Sequence, residues 1–182
     1  MRYHYQAEQW VPFPIEMVFA FFANPENLPR LMPEWQKTRI EAASLAPPPP
    51  RPLVSARFPD VAAGAGTKMT FSFLPFPFSP VRVPWDAEIT EFVWNEHFCD
   101  VQNRGPFLYW KHCHRLASKS RLRGPGVVTD GTLLIDAVEY ELPFGPLGNL
   151  ANFLLVKAQM KSIFDYRHKQ TLEMLKHPLT TV

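Results

Sequence analysis

The sequence contains few cysteines, little net charge and no long apolar run, and each shortage excludes a class of protein. The only cysteines are Cys99 and Cys113, and they lack CxxC spacing, so neither a disulfide framework nor a structural zinc site is predicted. A formal net charge of +2 is too small to favour a nucleic-acid partner. No apolar run approaches the roughly 20 residues that a membrane-spanning helix needs.

Length and composition favour one domain over residues 1–182. A chain of this length can bury roughly 70% of the surface that its unfolded form exposes. The 20 prolines predict many extended segments and turns, and the 15 phenylalanines supply the aromatic surface that a wide apolar cavity would use. Residues 1–10 are polar and alternating, unlike a signal peptide, so we expect a cytoplasmic protein of bacterial type.

The spacing of apolar residues predicts an α+β protein. Val18, Phe19 and Phe22 recur at helical spacing in Ile15–Ala23, and Pro25 ends that helix because proline disfavours helical geometry in the residue before it. Alternation and turn signals predict seven strands, at residues 2–10, 36–45, 67–74, 85–93, 96–102, 107–117 and 128–142. Two further helices are predicted at residues 26–31 and 147–175.

We expect a curved seven-stranded antiparallel sheet wrapped around the long C-terminal helix, with two short helices after the first strand. The helix would turn one apolar face to the sheet, formed by Leu150, Phe153, Leu154, Met160, Ile163 and Phe164. Strong curvature would open a concave apolar space between sheet and helix, and ligands bind in such spaces.

A proline-rich segment interrupts this pattern at residues 46–66. Four consecutive prolines, Pro47 to Pro50, open it, and a stretch rich in glycine and alanine closes it. We interpret it as an extended loop excursion within the domain, because the segment before it is too short to be a domain of its own.

The strand at 107–117 carries a cluster of inward polar side chains. Period-two alternation places Trp110, His112 and His114 on one face, while Lys111 and Arg115 occupy the other face, toward water. The pairing of this strand with its predecessor depends on the turn that joins them. An even loop would set His97 opposite His112, giving a cluster of three histidines. An odd, bulged loop would instead put Phe98, Asp100 and Gln102 on the histidine face, and the Gly-Pro in the turn favours this second register.

Asp136 is a further inward polar group, since it alternates with Glu139 and Glu141 in the last strand. A buried carboxylate has to be paired, hydrogen-bonded or protonated, because burying it bare costs several kcal/mol. We expect it near Trp110 and within diagonal reach of His112. Such a pair has two interpretations: it pins the sheet, or it serves as a general acid and base.

Several motifs in this order carry a resemblance to a known superfamily. They are Val11-Pro12, Asn24-Pro25-Glu26-Asn27-Leu28-Pro29, Pro33-Glu34-Trp35, Trp85 with Ile89, Phe98-x-Asp100-x-Gln102, Gly105-Pro106-Phe107, Trp110-x-His112-x-His114, Asp136, Tyr140, Pro143 and Gly145. Together they resemble the START / polyketide-cyclase (SRPBCC) superfamily of helix-grip proteins, nearest to the bacterial cyclase/dehydrase-like members. The resemblance implies a single ligand-binding domain for hydrophobic molecules, and residues 46–66 depart from its compact form.

The leading functional hypothesis is binding of a hydrophobic small molecule, such as a lipid, polyketide or isoprenoid, between sheet and helix. The predicted ligand contacts are Phe98, Asp100, Gln102, Trp110, His112, His114, Asp136 and Tyr140. One alternative is an aromatase/cyclase or dehydratase-type enzyme that uses His112 and Asp136 as general acid and base. Another is a protein-interaction module whose cavity is filled by its own phenylalanines.

Neither a metal nor a cofactor is predicted. His112 and His114 lie about 6.5 Å apart along an ideal strand, near enough to share a ligand, but a metal site needs a third ligand from another strand. The sequence does not indicate an oligomeric state.

Overall fold

The computed structural model describes residues 1–55, 61–122, 124–143 and 145–177. Seven strands form one antiparallel sheet in the order β1-β9-β6-β5-β4-β3-β2, which confirms the predicted architecture. The strands of this sheet are β1 (Arg2–Val11), β2 (Arg39–Ser44), β3 (Lys68–Phe73), β4 (Val83–Val93), β5 (His97–Arg104), β6 (Tyr109–Ser118) and β9 (Thr132–Glu141). Between β6 and β9, a two-stranded ribbon pairs β7 (Arg121–Leu122) with β8 (Val128–Thr129).

The first helix, α1 (Ile15–Ala23), has the predicted bounds. The carbonyl of Pro14 accepts hydrogen bonds from the backbone N–H groups of Met17 and Val18, both at 3.1 Å. Short 3-10 helices follow at Pro25–Leu31 and Glu34–Gln36.

The C-terminal helix runs from Gly145 to Lys176 in three parts: α2 (Gly145–Ala151), a π-helical turn (Asn152–Val156) and α3 (Lys157–Lys176). No helix in the described ranges has both the length and the apolar character needed to cross a bilayer.

The core lies on the inner face of the sheet, against α1 and α3. One cluster joins Val18 and Phe19 of α1 to Phe98 and Leu134 of the sheet. A second joins Tyr140 and Val138 of β9 to Met160 and Phe164 of α3. α3 contributes to both clusters, because its Leu175 belongs to the first.

The predicted apolar face of the C-terminal helix is correct for its second half and wrong for its first. Met160 and Phe164 are buried, but Phe153 and Leu154 are 78% and 58% exposed. A π turn holds more residues than an α-helical turn, so the 3.6-residue spacing cannot be continued through it. The side chain of Leu150 lies outside the described part of the chain.

One hydrogen bond joins the two ends of the proline-rich segment, and another holds the segment against the domain. The backbone N–H of Gly64 donates to the carbonyl of Ala46 at 2.9 Å, and Trp94 Nε1 donates to the carbonyl of Pro49 at 2.8 Å. A Cβ at Gly64 would lie 2.5 Å from the Cα of Pro48, so this close approach requires glycine. Residues 56–60 of the predicted excursion lie outside the described residues.

The structure contains one disulfide, although the sequence predicts no disulfide framework. Cys99 and Cys113 occupy directly opposed positions on β5 and β6, with their Cα atoms 4.1 Å apart, and they form a disulfide. Cys99 and Cys113 do not form a CxxC motif. Only the pairing register of β5 with β6 brings their sulfur atoms together. Both cysteines face the outer side of the sheet, with Lys111.

Removal of the disulfide is predicted to destabilise the fold. The bond closes a chain segment of 14 residues, and bonds of this kind typically contribute about 2–4 kcal/mol by restricting the unfolded chain. We expect the Cys99→Ala/Cys113→Ala variant to lose free energy of unfolding in that range in urea titrations. The wild type in excess reductant controls for the change of side chain. Equal urea midpoints for the oxidised wild type, the reduced wild type and the variant would contradict this assignment.

Candidate functional site

A cavity of about 370 Å³ lies between the inner face of the sheet and α3. Its sheet wall is aromatic, formed by Phe71, Phe73, Trp85, Phe98, Phe107 and Trp110. These rings pack on one another as well as facing the cavity: Trp85 and Trp110 meet edge to face at 4.9 Å between ring centroids, and Phe107 lies 4.9 Å from Trp110. Met160 and Ile163 line it from α3. The many phenylalanines therefore form part of the cavity wall as well as part of the hydrophobic core.

The pairing of β5 with β6 brings the predicted polar cluster together. Phe98 lies opposite His114 and Asp100 lies opposite His112, which confirms the odd-loop register over the three-histidine alternative. The ring of Phe98 stacks on that of His114 at 4.5 Å. Asp100 Oδ1 lies 3.8 Å from His112 Nδ1.

Asp136 is placed differently from the prediction. It lies opposite His114, while Tyr140 lies opposite Trp110. The predicted diagonal contact with His112 is confirmed, because His112 Nε2 is 2.9 Å from Asp136 Oδ1. The predicted register is wrong because the hairpin that joins β6 to β9 turns later in the chain than a loop between residues 117 and 128 implies.

The β7–β8 ribbon continues the β6–β9 register, with Arg121 opposite Thr129 and Leu122 opposite Val128. The hairpin therefore turns between Leu122 and Val128, and this later turn places Asp136 opposite His114 and not Trp110.

Asp136 is the centre of a buried network of imidazoles. Nδ1 of His114 lies 2.7 Å from the same oxygen that His112 contacts, and Nε2 of His168, on α3, lies 4.0 Å from the other oxygen. His112 and His114 are each 5% exposed and Asp136 is 1% exposed. Sequence reasoning missed His168, although it lies four residues after Phe164 on the predicted helix.

The electrostatics of this network favour an ionised carboxylate between neutral imidazoles. Burial alone would raise the pKa of Asp136, but its attraction to the imidazoles of His114 and His112 holds that pKa well below its usual value. Burial lowers the pKa of His112, and neighbouring His114 lowers it further. Burial also lowers the pKa of His114. His112 therefore donates its Nε2–H to Asp136 and keeps Nδ1 as an acceptor.

Asp100 differs from Asp136, although both are inward carboxylates. Burial raises the pKa of Asp100, while the positive charges of His112 and Arg167 oppose that shift. The same fold thus lowers the pKa of one inward carboxyl group and raises that of the other, a separation that suits distinct chemical roles.

Asp100, His112 and His114 also form a set of possible metal ligands. Each offers a ligand atom, and these atoms lie within 4.8 Å of one another. Imidazole nitrogens and a carboxylate oxygen suit zinc and related divalent ions, and Asp136 stands behind the imidazoles as a supporting carboxylate would. Asp100 is therefore the residue from another strand that could act as the third ligand of such an ion.

Five of the predicted contact residues line the cavity: Phe98, Asp100, Trp110, His112 and His114. The other three, Gln102, Asp136 and Tyr140, lie beside it.

Each of these three has a partner within the fold. Gln102 Nε2 donates to the carbonyl of Phe107 at 2.8 Å, which braces the β5–β6 turn. The Tyr140 hydroxyl donates to Asn152 Oδ1 at 2.7 Å, and Asp136 is occupied by the histidines. The fold uses these three polar groups to position the cavity wall.

Four other polar residues of the lining were missed by sequence reasoning. Within the described ranges, buried atoms of Gln36 (Oε1), Thr38 (Oγ1), Trp85 (Nε1) and Arg167 (Nε) have no hydrogen-bond partner. Buried polar atoms are almost always paired, so an orphaned set around one apolar cavity is informative. A signal existed only for Arg167, which lies three residues after Phe164 on the apolar face of the predicted helix.

The unfolding free energy is predicted to fall as the pH drops below about 6.5. His112 and His114 have lowered pKa values in the folded state, so the unfolded chain binds their protons first, and stability falls by up to about 1.4 kcal/mol per pH unit for each histidine. This loss begins at the unfolded pKa of about 6.5 and ends at the lower folded pKa. Urea titrations between about pH 5 and pH 7.5 would measure it.

The matched variant for this measurement is His112→Gln/His114→Asn, which keeps a donor nitrogen near each original one but cannot titrate. Its stability should depend more weakly on pH in the same window. Identical slopes for the variant and the wild type would show that other groups cause the effect.

Comparison with known proteins rests on structure alone, because no family model and no curated protein matches the sequence. TTHA0849 from Thermus thermophilus superposes with a TM-score of 0.61 at 17% identity, over 98% of this chain and 100% of that one. CV1439 from Chromobacterium violaceum gives 0.62 at 16% identity, over 95% and 96%. Norcoclaurine synthase from Thalictrum flavum gives 0.55 at 15% identity, over 95% and 88%. The chain therefore adopts the same helix-grip fold as these structures.

Proposed function

We propose that this protein binds a hydrophobic small molecule, of lipid, polyketide or isoprenoid type, in the cavity between the sheet and α3. The observation that carries the proposal is an apolar cavity of about 370 Å³ in which several buried polar atoms lack partners. Small-molecule sites have this character: roughly 300–1,000 Å³, mostly apolar, with a few polar groups that orient the ligand.

The ligand's apolar body would pack against the aromatic wall, and its polar atoms would meet the orphaned groups. Trp85 Nε1 is a donor, Gln36 Oε1 is an acceptor, and Thr38 Oγ1 can act as either. Because these groups are buried, a ligand that satisfied them would regain hydrogen bonds that the fold leaves unmade. This explains how an apolar cavity could select among hydrophobic molecules.

The cavity also argues against the interaction-module alternative. That hypothesis requires the protein's own phenylalanines to fill the space between sheet and helix. Phe71, Phe73, Phe98 and Phe107 instead form walls around an open volume.

A second candidate is a cyclase or dehydratase-type enzyme, favoured by the hydrogen bond between His112 and Asp136. Ionised Asp136 accepts from Nε2 at 2.9 Å, which fixes the tautomer and leaves Nδ1 as a base in a residue that lines the cavity. Such a base could remove a proton adjacent to a substrate carbonyl. Asp100, with its raised pKa, could return a proton to an oxygen leaving group.

Protein purified under native conditions is predicted to retain a hydrophobic molecule. Native mass spectrometry followed by solvent extraction would detect the added mass and identify its class. The Ala87→Trp variant should lose it, because Ala87 lines the cavity and the larger side chain would fill the volume.

Ala43→Trp, at an exposed position of β2, is the matched control and should retain the molecule. A wild type that carries no added mass and does not bind the neutral apolar fluorophore N-phenyl-1-naphthylamine would refute the binding function.

Catalysis is tested separately with the extracted molecule. If the protein turns it over, His112→Ala and Asp136→Asn should lower the rate by about 10²–10⁴-fold, the usual contribution of a general acid or base, with retention unchanged. The rate would be followed by mass spectrometry of the product, with circular dichroism as the check on folding. Unchanged rates in both variants would exclude this pair as the catalytic machinery.

A further inference from the structure

Arg167 is a buried cation that lines the cavity and forms no ion pair with the described part of the chain. It projects from α3, is 8% exposed and lines the cavity. Its Nε atom has no hydrogen-bond partner, and no carboxylate of the described chain lies within ion-pair distance of its guanidinium. Its nearest defined support is the ring of Phe164, 5.3 Å from the guanidinium carbon.

A guanidinium group stays charged in proteins, and an unpaired buried charge is costly. The fold could have lowered this cost with a nearby acid. Asp136 is instead occupied by His112 and His114. The positive charge of Arg167 is therefore available to a molecule in the cavity.

Asp100 is the other charged residue of the lining, and it does not cancel Arg167. The two interact electrostatically but form no ion pair.

We propose that the ligand ends in a carboxylate that Arg167 binds, so that the cavity takes hydrophobic carboxylic acids. This deepens the binding function proposed above and rests on it. The planar guanidinium matches a carboxylate with two parallel hydrogen bonds. A monoanion is favoured over a phosphate monoester, because one cation balances one charge and the carboxyl groups of Asp100 and Asp136 lie close by.

The test compares ligands that share one apolar chain and differ in the head group. Decanoate, decan-1-ol, decylammonium and decyl phosphate would each displace N-phenyl-1-naphthylamine from the wild type, Arg167→Met, Arg167→Lys and Lys169→Met. Lys169 is an exposed cation on the same helix, so its variant controls for loss of one positive charge. Circular dichroism and fluorophore binding confirm that each variant is folded.

In the wild type and in Lys169→Met, decanoate should bind at least about tenfold more tightly than decan-1-ol, as expected for charge-assisted hydrogen bonds in a buried site. Arg167→Met should abolish this preference while its affinity for decan-1-ol stays unchanged. Arg167→Lys should keep a part of the preference.

Two results would overturn the assignment while leaving the binding function intact: equal wild-type affinities for acid and alcohol, or a preference that survives Arg167→Met. A wild type that prefers decylammonium would assign the site to cations, and one that prefers decyl phosphate would assign it to phosphates. Failure of the wild type to bind the fluorophore and all four ligands would overturn the binding function itself.

Discussion

The buried carboxylate of Asp136 is the interaction on which the centre of this structure depends. A carboxylate that is 1% exposed would be strongly destabilising unless neighbouring groups satisfied it. His112 and His114 on β6 meet one oxygen, and His168 on α3 approaches the other. One charge thereby couples two central strands to the long helix and sets the distance between sheet and helix at that point.

The cavity lies next to the network around Asp136, and His112 and His114 line it. On one side of the network the sheet and helices close over Phe19 and Leu134. On the other, aromatic rings such as Trp85 and Trp110 hold the wall open by packing edge to face. Because His112 belongs to both the buried network and the lining, its contact with Asp136 determines which nitrogen faces the cavity. The electrostatics of the site thus follow from a contact that also stabilises the fold.

The sequence was sufficient for the element order and for the inward face of each central strand, because alternation and helical spacing are local properties. Phe98, Asp100, Trp110, His112 and His114 were placed correctly on that basis. The sequence was insufficient where a shift of a few residues changes which side chains face each other. The hairpin between β6 and β9 turns later in the chain than predicted, which changes the residue opposite Asp136, and the π turn at Asn152–Val156 disrupted the apolar spacing of the helix.

The sequence by itself therefore determined the α+β architecture, the aromatic content of the inner face and the inward direction of the histidines, since each depends on spacing within one element. The tertiary structure alone decided which of these groups meet. The disulfide between Cys99 and Cys113, the shared carboxylate of Asp136 and the unpartnered Arg167 all depend on contacts between elements distant in the chain. Such contacts are set by register, curvature and helix position, and no single segment carries that information.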